Sequence, residues 1–342
     1  MKFLHIIRSL ALPCVLLCLA SCDVEFSPNA QWKDVPVIYC VLDQDDDTSW
    51  VRVQRCYLED GDIYTPARIS DSTNYPQGSI SVRLDVYHTN NIIDTIPFTY
   101  IEKDIDDGQF AASNQPMFYA VTTGRLTNAE SYQLKLYKNT DAGRELMAEA
   151  ATLPVIPPDR SPIIRDIGDN HNRQVFGFYD RSGSDNSSCH IEWYTYKNAR
   201  VYQPRVRFYY GVNNDTLSID LMCGRVRTQS LSATTQSTNY SRETFLTDLK
   251  GALESNPAAK KYLKSVDIYL LVCNEDLNAY MISMENRTDA DQSKQIYTNV
   301  TGGLGIFAAR STHVYRHFAS DSSLTRNVGL YYHLKNLGIN MN

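Results

Sequence analysis

The chain has 342 residues, 43% of them hydrophobic, with 33 basic against 39 acidic side chains and a formal net charge of −6. That acidic balance argues against nucleic acid as a partner and against electrostatic adhesion to anionic lipid headgroups. Beyond residue 22 no run reaches the ~20 apolar residues of a membrane-spanning helix, so the bulk of the chain reads as globular, long enough for about two domains.

At the N-terminus, Lys2 and Arg8 precede an apolar run over 10–20, the charged start and apolar core of a signal peptide. The run ends in Leu19-Ala20-Ser21-Cys22, which resembles the lipobox of bacterial lipoproteins. The resemblance implies a signal peptide over 1–21, cleavage before Cys22, diacylation of the Cys22 thiol and acylation of the new amine. Several acyl chains, each buried CH₂ contributing about 0.8 kcal/mol, then hold the protein on the outer membrane. Cleavage removes Lys2 and Arg8 and no acid, leaving 31 basic against 39 acidic residues, a formal −8. The lipid is therefore the expected membrane contact, and residues 22–34 a polar tether. Asp23 and Glu25 resemble the surface-export signals of Bacteroidota lipoproteins, implying the cell-surface side.

Strands are predicted over 37–42, 51–58, 80–87, 92–99, 117–121 and 131–137 from short apolar alternations rich in Val, Ile and Tyr. The first two form a hairpin whose acidic loop, Asp43-Gln44-Asp45-Asp46-Asp47, reads as a solvated tip. Strands about ten residues apart, joined by turn residues, predict a mainly β fold opening with an immunoglobulin-like antiparallel sandwich over 35–152. Pro154, Pro157, Pro158 and Pro162 mark a stiff linker over 153–162. A second β-rich domain follows over 163–342, with strands over 173–179, 189–196, 205–210, 266–273, 304–308 and 328–334. Two helical insertions interrupt it. One lies near 241–264, with Ser241 as N-cap, Phe245, Leu246, Leu249 and Leu253 at helical spacing, a break at Pro257 and a further turn or two over 258–264. The other spans 275–286, where Leu277, Tyr280, Met281 and Met284 share a face that reads as core.

Once Cys14 and Cys18 leave with the signal and Cys22 is lipidated, Cys40, Cys56, Cys189, Cys223 and Cys273 remain. Cys40 and Cys56 sit on neighbouring predicted strands and are the candidate disulfide; the alternative is that all five are small buried apolar residues. No catalytic, metal or cofactor site is assigned. His313, His317 and His333 lack an HExxH context. The acidic runs at 43–47 and at Asp104, Asp106 and Asp107 lack the Gly and Glu of a calcium loop. There is no G-x-S-x-G elbow, and Cys189 and His190 point apart on a strand. Trp193, Tyr194, Tyr196 and Tyr209 are the candidate platform for a glycan or peptide ligand, unless strand alternation turns them into the core.

The run Asn299-Val300-Thr301-Gly302-Gly303-Leu304-Gly305-Ile306-Phe307-Ala308-Ala309-Arg310 resembles the signature of a family of Bacteroidota outer-membrane lipoproteins known only as a domain of unknown function. Members carry Asn-Val/Ile-x-Gly-Gly-x-Gly-x-Phe after a strand and a Tyr-bearing helix, here 266–273 and the helix with Tyr280. They also open with a hairpin and cross a proline-bearing linker, so the resemblance covers nearly all of the mature chain. No catalytic residues are defined for the family. The resemblance implies a non-enzymatic accessory or binding subunit of an envelope complex, with a TonB-dependent transporter, a barrel protein, as partner. A glycan- or peptide-hydrolysing surface enzyme with scattered acids is one alternative; a structural or adhesive surface protein is another. The glycines read as structural, since a phosphate cradle needs a helix opening behind them and none is predicted.

Overall fold

A computed structural model describes residues 33–56, 68–104, 114–159, 163–167, 176–178, 187–212, 214–228, 233–253, 260–285, 296–316, 334–335 and 337–341. Residues 1–21, Cys22, most of the tether, His317 and His333, Asp106 and Asp107, and nearly all of the strand predicted over 328–334 lie outside the described residues.

The fold is mainly β, an immunoglobulin-like sandwich followed by a second β-rich unit. β1 (Pro36–Asp43) and β2 (Thr48–Arg55) form the predicted hairpin, with Ile38 opposite Val53 and Cys40 opposite Val51. A single helical turn, α1 (Ser70–Thr73), leads to β3 (Ile80–His88) and β4 (Asn91–Pro97). The chain then turns at Phe98, whose N–H donates to Val82 O at 3.0 Å, and continues as β5 (Thr99–Lys103) in the other sheet. The single strand expected over 92–99 is thus two, because Pro97 lacks the donor needed to continue a ladder. β6 (Gln115–Val121), β7 (Ser131–Thr140) and β8 (Gly143–Thr152) complete the sandwich strands of this half.

The second half supplies β9 (Ile164–Ile167), β10 (Ser188–Tyr194), β11 (Ala199–Val212), β12 (Asp215–Met222), β13 (Val226–Arg227) and β14 (Thr235–Ser241). Helix α2 (Arg242–Leu253) opens at Ser241, whose Oγ accepts the Thr244 N–H at 3.4 Å, as the predicted N-cap should. Of the further turn expected over 258–264, the described residues 260–264 are not helical: β15 (Lys261–Asn274) already begins at Lys261, where Tyr262, Leu263 and Val266 favour a strand. Helix α3 (Glu275–Glu285), β16 (Val300–Thr301), β17 (Leu304–Tyr315) and β18 (Ile339–Met341) follow.

One long sheet joins the halves in the order β12-β11-β15-β17-β1-β2-β6-β5, with β17 parallel to β1. The sandwich expected over 35–152 therefore borrows two strands from the other half: β17 beside β1, and β16 on the edge of the five-stranded sheet β16-β8-β7-β3-β4. Both hydrophobic cores lie on the same face of the long sheet. On β17, Phe307 and Ala309 point into the sandwich core with Ile38, Leu42, Leu84 and Tyr132. Further along the same face, His313 stands beside Leu270, and Tyr315 packs on the second core. That core lies under β14-β10-β9 and α2, around Trp193, Phe208 and Phe245. Side chains of this size contribute about 1.5–3 kcal/mol each on full burial.

Among the described residues, the opposite face is covered only in part. Helix α3 packs there against β17, β11 and β15, and its Tyr280 hydrogen-bonds Tyr39. Leu277, Tyr280 and Met281 are half-buried and Met284 is 43% exposed. The helix thus lies on the sheet instead of inside a core.

The glycine run is the passage between the two sheets. Gly302 (φ +80°) turns past Met147 and Gly305 (φ +106°) lies against the backbone of Ile38. Asn299 completes the junction: its Oδ1 accepts the Phe307 N–H at 2.9 Å and its Nδ2 donates to Phe307 O at 2.7 Å. β15 pairs with β17 from Arg310 onward, so this amide takes the place of a strand neighbour where β17 has none.

The candidate disulfide does not form. Cys40 pairs with Val51, whereas the Cys56 N–H reaches Val35 O at 2.9 Å. Five positions separate Val35 from Cys40, about 16 Å along a strand, well beyond the ~7 Å Cα separation a disulfide tolerates. Cys40 and Cys56 are free thiols, and Cys40, Cys189, Cys223 and Cys273 are buried.

Candidate functional site

The acidic β1–β2 loop is exposed at Asp45, Asp46 and Asp47, as a solvated tip should be, but it is fastened to β17. Asp43, 6% exposed, accepts Arg310 Nε at 2.7 Å and the Asp45 N–H at 3.1 Å. Asp45 Oδ2 takes the Ser311 hydroxyl at 2.8 Å and the Thr312 N–H at 2.6 Å. Asp46 reaches Arg310 only at 3.8 Å and keeps 61% of its side chain exposed. Burial pushes the Asp43 carboxyl above its ordinary value, with Arg310 working against the shift. Register explains the arrangement: Asp43 stands beside Arg310 in the parallel β1–β17 ladder, so the turn falls onto β17.

Across the same open face, β11 presents Gln203, Arg205, Arg207 and Tyr209, the residues that alternate with buried Val206 and Phe208. Arg207 grips Asp220 of β12 through Nε at 2.6 Å and Nη2 at 2.8 Å, and Arg205 adds a bond at 3.1 Å. The hydrogen bonds from Arg207 hold the Asp220 carboxyl below the usual range. Both guanidinium groups also lie against the Tyr269 ring, at 4.5 and 4.6 Å from its centroid. Between this wall and the acidic loop runs a cleft of about 410 Å³, floored by Tyr269, Leu271 and Val314 and flanked by Met222. That volume falls within the range of small-ligand sites, about 300–1,000 Å³.

A second hollow of about 330 Å³ opens where α3 begins, beside Tyr196, Arg200 and Asn274. Its polar groups are engaged structurally. Asp276 accepts the Thr152 hydroxyl at 2.6 Å and the Tyr297 hydroxyl at 2.8 Å. Asn274 Oδ1 caps α3 at the Leu277 N–H, 3.2 Å away, and Arg200 is ion-paired to Glu275. These contacts tie the end of β8 to α3.

The proposed aromatic platform is not assembled. Trp193 is fully buried, with its ring 5.6 Å from that of Tyr202, and Tyr196 is 5% exposed. Alternation along β10 sends Cys189, Ile191 and Trp193 into the core. Tyr194 is half-buried on β10, while Tyr209 sits on the long sheet's open face, its hydroxyl 3.5 Å from that of Tyr269. Sequence reasoning missed Arg205, Arg207, Tyr269 and Arg310. The available signal was the polar alternation Gln203-x-Arg205-x-Arg207-x-Tyr209, which marks a strand face turned away from a core. Among the described residues no group of three or more His, Cys, Asp or Glu side chains is placed to hold a metal ion.

No protein-family profile and no curated protein matches the chain. Among solved structures it is similar to the C-terminal globular domain of an oligosaccharyltransferase from Pyrococcus abyssi, at 10% identity and a TM-score of 0.20, covering 85% of this chain and 51% of that one. The chain thus spans about half the length of that structure.

Proposed function

We propose that the protein is an outer-membrane lipoprotein, anchored through Cys22 on the cell-surface side, that serves as a non-enzymatic binding or accessory subunit of an envelope complex. Its partner in this reading is a TonB-dependent transporter. The lipobox-like residues 19–22 and the Asn299–Arg310 signature support the address. The binding role rests on one observation: a cleft of about 410 Å³ on the open face, with charged side chains at its ends and an apolar floor. Asp43 is occupied by Arg310, Asp45 by Ser311 and Thr312, and Asp220 by Arg205 and Arg207. A glycan or peptide hydrolase needs a second working carboxyl across the cleft from the first; the wall facing Asp43 presents Arg205, Gln203 and Met222 instead.

The test is affinity purification from membranes in mild detergent, alongside the Cys22→Ala variant. The native chain is expected in the membrane fraction with a large barrel protein in stoichiometric yield, and Cys22→Ala in the soluble fraction. Recovery of the native chain alone, or unchanged membrane association of Cys22→Ala, would overturn the reading.

A further inference from the structure

The two outer faces of the sandwich differ in kind. On the five-stranded sheet the outward side chains are polar and engaged with one another. Asp85 takes Arg83 and Lys135, each at 3.0 Å, and Gln133 joins the Tyr87 hydroxyl to Glu149 through two bonds of 2.9 Å. On β2, β6 and β5 of the long sheet the outward residues are largely apolar or aromatic. Trp50 stands beside Tyr119, with ring centroids 5.6 Å apart, and Met117 beside Ile101. Trp50 is 37% and Val121 60% exposed.

Alternation along these three strands turns two cations onto this face, Arg52 and Lys103, and no acid. Lys103 Nζ lies 4.9 Å from the Trp50 ring centroid. Among the described residues neither cation forms an ion pair. The chain as a whole has more acidic than basic residues, so this face runs against the overall charge. Helix α3 leaves it open, since its main contacts are with β17, β11 and β15.

An apolar face with unpaired cations is complementary to a layer that is anionic outside and apolar beneath. Trp and Tyr rings settle at the boundary between lipid headgroups and acyl chains, and Arg and Lys stems reach from it to the headgroups. The tether brings such a layer within range. Pro36, at the start of β1, stands beside Arg55, so Trp50 is five residues, about 17 Å, from the tether's end of the hairpin. From Cys22 to Lys33 the chain spans at most about 36–40 Å.

We propose that the outward face of β2, β6 and β5 is a second membrane contact, which seats the sandwich on an anionic phospholipid surface beside its anchor. The proposal rests on the reading of the chain as lipid-anchored. Alone, the contact is weaker than a single myristoyl chain, itself a marginal anchor, so Cys22→Ala still washes off membranes. Tethering holds the face close to the bilayer and makes a weak contact effective. Fractionation of the native chain tests the anchor and vesicle binding tests the face, so either can fail without the other.

The experiment is flotation of the mature chain carrying Cys22→Ala, without acyl groups or detergent, over a titration of phosphatidylcholine vesicles with and without about one third phosphatidylglycerol. Binding is expected to both and to be stronger on the anionic vesicles. Arg52→Gln and Lys103→Gln should each weaken anionic-vesicle binding roughly fivefold. Arg144→Gln, which removes an exposed cation of β8 on the other sheet, should leave it unchanged. Trp50→Ala should weaken binding to both vesicle types. Near-UV circular dichroism and the urea midpoint check that the variants stay folded. No vesicle binding, an equal loss in Arg144→Gln, or a Trp50-dependent dimer in solution in place of vesicle binding would each overturn the proposal.

Discussion

Gly305→Ala separates two costs that a glycine can hide. At Gly305 φ is +106°, and an added Cβ would lie 1.9 Å from the carbonyl oxygen of Ile38 and 2.8 Å from its nitrogen. At Gly78 φ is +80°, with nothing within 4 Å of the same added atom. Conformational strain is common to both and costs on the order of 1 kcal/mol for Ala at positive φ. The steric cost belongs to Gly305 alone. A carbon and a carbonyl oxygen need roughly 3.2 Å, so β1 and β17 would have to separate by more than an ångström, and ladder hydrogen bonds do not survive that. Losing two of them adds about 1–3 kcal/mol, for a total near 2–4 kcal/mol against about 1 for Gly78→Ala. Because β17 is the strand through which the second half enters the sandwich, the loss should appear as a lowered urea midpoint by both near- and far-ultraviolet circular dichroism. Equal midpoints for the two variants would refute the close-approach account and leave φ alone as the reason for the glycine.

Asn299→Ala should cost about 2–4 kcal/mol, because it strips the N–H and C=O of fully buried Phe307 of partners; an unchanged urea midpoint would show that another group fills the role. His313 is held below its ordinary value of 6.5 by burial, with Asp45 opposing the shift. A lowered folded-state value gives stability that is complete above the unfolded value and lost as pH falls through the folded one. His313→Gln should therefore flatten the stability profile as pH falls below the ordinary histidine value of 6.5. An identical slope in the variant would assign the loss to other groups.

Much of the sandwich was legible because its strands have one apolar face. Val82, Leu84 and Val86 alternate with Ser81, Arg83 and Asp85, and the pattern placed β3 correctly. β8 escaped because Gly143–Thr152 is rich in Ala and Glu with one Met, a composition that favours helix; its pairing along β7 overrides that preference. β17 was recognised only over its apolar start, since Arg310-Ser311-Thr312-His313 looks like a loop until β15 is placed alongside it. The site was less legible still. Asp43 and Arg310 lie 267 positions apart and meet because a parallel ladder makes them neighbours. An acidic pentapeptide carries no mark of which cation it will face.

The placement of both cores on one face of the long sheet bears on how this molecule can be altered. Residues such as Phe208, Ile268 and Phe307 determine stability, and each lies on the covered face. Arg205, Asp46, Met222 and Trp50 lie on the other, where α3 covers only part of the surface. Surface substitutions away from buried networks usually change stability by no more than about 0.5 kcal/mol. The open face can therefore change its charges with little penalty to the fold, and substitutions there should read out binding with stability nearly constant. Asp43 is the exception, because it is buried against Arg310 at the strand that joins the halves. Removing its carboxylate leaves a guanidinium at the junction, where an uncompensated charge acts on the fold as well as on the cleft. Asp46 and Arg205 are for this reason the residues at which recognition can be probed separately from folding.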